Sequence, residues 1–187
     1  MKSILRDATR NLVQRLALLG GLMMFVIPSP AHALEALYVG GQVGHVALLG
    51  TPGGTFNNAL GFGADIGFRT NSYVDIMISL LTSSHASAAG DLGLLAPTLS
   101  ADFHIGRAYD FDFTLGVGPG FYSYKHLGVS DTKFGLNFGG AVDVIIDEHF
   151  RVGLGTKYHL AFGGDVISGN FWTATMRVGY LFTFDDN

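Results

Sequence analysis

The 187-residue chain carries 27 glycines, no cysteine, 14% charged residues and a formal net charge of −4. With a mean hydropathy of +0.35, it is too apolar for intrinsic disorder and too acidic for a nucleic-acid binder. Lacking cysteine, it has no disulfide scaffold, no thiolate metal site and no acylated-cysteine anchor.

The first element in chain order is an export signal. Lys2, Arg6, Arg10 and Arg15 precede the apolar run LALLGGLMMFVI at 16–27. Pro28-Ser29-Pro30 breaks that run, and Ala31-His32-Ala33 follows with small-x-small spacing. This is the pattern of a cleaved signal peptide over residues 1–33, with Leu34 as the first mature residue. A membrane-spanning helix is the alternative, but this run reaches only about 18 Å into a hydrocarbon core of roughly 30 Å. Cleavage removes four bases and one acid and moves the formal charge to −7. Residues 34–187 are expected to form one domain.

That domain alternates with period two, the signature of strands. Eight apolar sets follow one another, opening at Leu37, Leu60, Val74, Leu95, Phe111, Phe134, Val152 and Trp172. Each faces a set of small, polar or charged residues. Short connections are expected at Thr70-Asn71-Ser72, at 106–110 and at 146–149. Longer ones are expected at 50–58, 83–91, 125–132 and 163–170. An even strand number with turns at one end and loops at the other is the plan of an all-β, eight-stranded, antiparallel up-and-down transmembrane barrel.

Charge decides which face meets lipid. No apolar set contains Asp, Glu, Lys or Arg. The opposite sets carry Asp65, Arg69, Asp75, Asp102, His104, Asp112, Asp143, Arg151, Lys157, His159 and Arg177. A soluble periplasmic barrel, the alternative, would reverse this and keep its apolar residues inside. The charged sets are therefore expected to line a narrow lumen as a paired polar network, with glycine relieving the crowding there. Phe68, Phe121, Tyr158, Trp172, Tyr180, Phe182 and Phe184 are expected to form an outer aromatic girdle. Phe56, Val166, Ile167 and Phe171 are expected to give the external loops some apolar character.

The last strand reads Arg177-x-Gly179-x-x-Phe182-x-Phe184. It resembles the C-terminal signal that the barrel assembly machinery recognises, although Asp185-Asp186-Asn187 follow the final Phe. With the opening LYVGGQVG at 37–44, the chain resembles the small eight-stranded outer-membrane barrels, the OmpA-, OmpX- and OmpW-like group. The resemblance implies an integral protein of a Gram-negative outer membrane. Its expected partners are outer-membrane lipid, lipopolysaccharide and, during biogenesis, the assembly machinery, with no nucleic acid. Fold alone does not give the function.

No catalytic, cofactor or metal site is expected. The six His residues of the mature domain lack paired ligand spacing. Glycine strings such as Gly116-x-Gly118-x-Gly120 lack the Lys-Ser/Thr of a phosphate loop. Some barrels of this size resemble the chain and deacylate lipid A with a His-x-Ser pair, but at His159-Leu160-Ala161 an alanine stands where the serine is needed. The expected role is non-enzymatic, structural or in surface interaction. The alternative is a narrow channel for small or hydrophobic solutes, as in OmpW-like proteins, and lipid A modification is a more remote reading.

Overall fold

A computed structural model describes residues 35–50, 55–147, 149–163 and 169–184. The signal at 1–33, Leu34, Val166, Ile167 and Asp185-Asp186-Asn187 lie outside the described residues.

Eight strands appear in chain order: β1 (Ala36–Leu48), β2 (Ala59–Asn71), β3 (Val74–His85), β4 (Leu92–Ala108), β5 (Phe111–His126), β6 (Val129–Ile146), β7 (Phe150–Phe162) and β8 (Phe171–Thr183). Each pairs antiparallel with its neighbours, and β1 pairs with β8, so the sheet closes. Closure removes every sheet edge, which a strand protein needs in hydrocarbon because nothing there hydrogen-bonds a free backbone group. At one end the strands are joined at 72–73, 109–110 and 147–149, and at the other at 49–58, 86–91, 127–128 and 163–170. The end with short turns faces the periplasm in this architecture.

The outer wall is apolar. Phe62, Leu115, Phe121, Leu154 and Met176 all expose more than half of their surface. Their strand neighbours point inward and are buried or half-buried, as the alternation requires.

One expected loop is absent. Residues 125–132 do not form a long connection, because β5 and β6 continue to a two-residue turn at Leu127-Gly128. Both turn residues have positive φ, 48° and 82°, the backbone that matches strand twist in a tight hairpin. Beyond the hydrocarbon core the outward face of a strand is polar, so Lys125, Ser130 and Thr132 read as loop although they are strand. Leucine is a costly residue at positive φ. Leu127→Asn is expected to stabilise the hairpin by about 0.5–1 kcal/mol, measured as a higher urea midpoint of the refolded barrel.

The β4–β5 ladder alone is interrupted in its middle. Its pairs include Leu95↔Ser123, Thr98↔Gly120 and Ala101↔Val117, and the rungs containing Pro97 and Pro119 are skipped. Proline has no N–H to contribute to a ladder.

Candidate functional site

The interior divides into three layers, starting from the turn end. In the first, Asp75 is the hub. It accepts from Arg69 Nε at 2.9 Å and Nη2 at 3.2 Å, and lies 3.7 Å from Arg151 Nη1. His104 bridges two carboxylates, with Nε2 3.1 Å from Asp75 and Nδ1 2.9 Å from Asp112. Carboxylates only accept, so a ring bonded to both donates from both nitrogens, and Arg69 Nη2 also lies 3.3 Å from Nε2. Exposed Arg107 reaches Asp112 from the rim at 3.7 Å. Strands β2, β3, β4, β5 and β7 each contribute one or two of these groups, and barrel closure lets Asp75 and Arg151, 76 positions apart in sequence, meet.

In the second layer Arg177 donates to Asp143 at 2.9 Å. Asp65 accepts from Gln42 at 2.9 Å, and Asp102 from Ser100 at 2.8 Å. Gln42, Asp65, Asp102 and Arg177, with Lys157, Ser79, Thr173 and Thr175, surround a cavity of about 30 Å³, room for roughly two water molecules.

The third layer, toward the loop end, is apolar. Val46, Leu48, Leu81, Leu92, Leu94, Ala96, Tyr122, Tyr124 and Phe171 pack together, with Phe56 against them. His159 belongs here and not with the ionic groups. Its ring stacks on Phe171 at 4.1 Å, and its Nδ1 meets the Tyr122 hydroxyl at 3.3 Å. Phe171 is not an exposed loop residue but is fully buried. Phe56 is half-buried, edge-on to His126 at 5.2 Å. The charged, polar and small inner sets expected from the alternation therefore do not reach the loop end, and lower down Ala36, Tyr38, Met77 and Leu181 form a second buried apolar cluster beside the ionic groups. Both parities of Val46-Ala47-Leu48 and Leu92 to Ala96 are apolar or small, a signal in the sequence for this change.

One Ser–His pair escapes a search for His-x-Ser because its order is reversed. Ser83 Oγ lies 2.9 Å from His85 Nε2, and His85 Nδ1 donates to the Asn57 carbonyl at 2.9 Å. The ring is fully buried and the serine nearly so. The pair ties the β1–β2 connection to the end of β3.

Among the residues of the C-terminal pattern, Arg177 points inward and Phe182 and Phe184 outward. Gly179 lies beneath the ring of Tyr38, where an added Cβ would fall 2.2 Å from Cε2. Of the expected girdle, Phe121, Trp172, Tyr180, Phe182 and Phe184 are exposed, while Phe68 and Tyr158 are partly covered.

No curated protein matches this chain. Among solved structures it is similar to neisserial surface protein A, with a TM-score of 0.65 at 16% identity, over 80% of this chain and 99% of that one. OprG of Pseudomonas aeruginosa gives 0.60 at 13% identity, over 82% and 98%. The N-terminal barrel of OprF from the same organism gives 0.56 at 14%, over 81% and 100%. At these identities the likeness carries the fold. The model of the family described as outer membrane protein beta-barrel domain matches residues 17–184, and with the closed eight-stranded sheet and its apolar outer wall this makes the chain a member of that family, an integral outer-membrane protein.

Proposed function

We propose that the protein is a sealed, non-conducting barrel whose work is done at its surface, by its loop end and by the wall that faces outer-leaflet lipid. The observation that carries this reading is the filled interior. A channel needs a continuous polar path. Here the apolar layer from Val46 to Phe171 lies across the loop end, and the ionic layer around Asp75 lies across the turn end. The cavity between them has room for only about two water molecules.

A non-enzymatic role is part of the same proposal. Ala161 stands in place of the serine that a deacylase of this shape would need, and Ser83–His85 is covered by Asn57. Lipopolysaccharide and, during biogenesis, the assembly machinery that reads Arg177, Gly179, Phe182 and Phe184 are the proposed partners. The refolded protein is expected to leave a planar bilayer silent. Discrete conductance steps that change when Asp102 or Arg177 is neutralised would replace this reading with the channel.

A further inference from the structure

The β5–β6 hairpin changes chemistry as it leaves the apolar wall. Phe121 and Phe134 are cross-strand partners on the outer face, with ring centroids 5.6 Å apart, edge to face. The next rung of the same face toward the loop end is Ser123↔Thr132, where Thr132 Oγ1 donates to Ser123 Oγ at 3.1 Å. The rung beyond it is Lys125↔Ser130. Period two keeps these four side chains on the side of Phe121 and Phe134. On β4 the residue opposite Lys125 is Gly93, where an added Cβ would meet nothing closer than 3.8 Å. Space beside the stem of Lys125 is therefore open. Lys125 is exposed and has no ion pair among the described residues, whereas buried Lys133 lies 3.6 Å from Asp131.

Position selects the ligand. These groups project sideways, in the plane of the membrane, one and two rungs beyond the last aromatic pair. Aromatic residues mark the boundary between hydrocarbon and headgroups, so what lies beside the next rung is a headgroup and not an acyl chain. An unpaired ammonium among three hydroxyls supplies charge-assisted and neutral donors to the oxygens of a phosphate. We propose that Lys125, Ser123, Ser130 and Thr132 bind a phosphate on the headgroup of lipopolysaccharide in the outer leaflet. This rests on the reading of the loop end as the outer surface of a sealed barrel.

The test uses the full mature barrel in phosphatidylcholine nanodiscs doped with lipid A carrying both phosphates, with bound lipid counted by native mass spectrometry. The wild type is expected to retain lipid A. Lys125→Gln is expected to lower its apparent affinity roughly tenfold, the loss of one charge-assisted contact. Gly93→Lys, which adds a second cation at the open position, is expected to raise it. Dephosphorylated lipid A is expected to bind the wild type no better than lipid A binds Lys125→Gln. Heat-shifted mobility on gels identifies folded protein in each sample. Equal retention by wild type and Lys125→Gln, or no gain with Gly93→Lys, would overturn the site. Displacement of the lipid by millimolar inorganic phosphate would overturn the assignment to a headgroup. Planar-bilayer conductance of the same proteins separates the two conclusions: a silent barrel with no Lys125 effect loses this site alone, and a conducting one loses the sealed reading.

Discussion

Asp75→Asn is expected to cost about 3–5 kcal/mol of folding stability, because it removes one partner from a buried charge network and leaves the others uncompensated. Asp75 alone meets Arg69, His104 and Arg151. The amide keeps the shape but loses the charge, and its nitrogen presents donors to three groups that are themselves donors. Urea unfolding of the refolded barrel in lipid vesicles measures the loss. Arg107→Gln is the internal comparison. Arg107 is mostly exposed and 3.7 Å from Asp112, and its removal is expected to change stability by less than about 1 kcal/mol. Equal effects of the two substitutions would mean that the buried cluster contributes no more than a surface ion pair.

The second large effect concerns Gly179. Gly179→Ala is expected to destabilise the barrel by about 1–3 kcal/mol through overpacking, since the new methyl would occupy the space of the Tyr38 ring. In a Tyr38→Ala background the same change is expected to cost almost nothing, giving a strongly non-additive cycle. The cycle separates two roles of one residue. If Gly179 served only as part of a recognition sequence, the amount of assembled barrel in cells would fall by the same factor in both backgrounds. Urea midpoints and heat-modifiable protein in membrane fractions, read together, decide between them.

Strand number, pairing order and facing were legible in the sequence because lipid forbids charge on one face of every strand. That is a local rule, and period-two alternation displays it directly. Which acid meets which base was not legible. It depends on the register between strands far apart in sequence, as when Asp143 on β6 meets Arg177 on β8 across the lumen. The upper extent of β5 and β6 was missed for a simpler reason. Once a strand rises out of the hydrocarbon the constraint on its outer face disappears, and Lys125 to Thr132 then have the composition of a loop. The apolar layer around Tyr122 and Phe171 was missed because the charged residues of the inner sets were taken to set the character of the whole lumen. A narrow interior excludes water as fully as lipid does, and hydrocarbon side chains fill it without partners.

The interrupted ladder has a consequence for how the cylinder holds together. No peptide bond joins β8 to β1, yet that seam carries thirteen unbroken rungs from Ala36↔Thr183 to Leu48↔Phe171. The seam weakened by Pro97 and Pro119 lies half-way around and is tied covalently by the turn at 109–110. Covalent closure and hydrogen-bond closure thus back each other up on opposite sides. A breach at the prolines opens between strands only two residues of chain apart, so re-zipping involves a very small loop-closure entropy. A permuted chain joined from 183 to 36 and cut at 109–110 would place both weaknesses in one seam, leaving nothing to hold the two strands in reach when it opens.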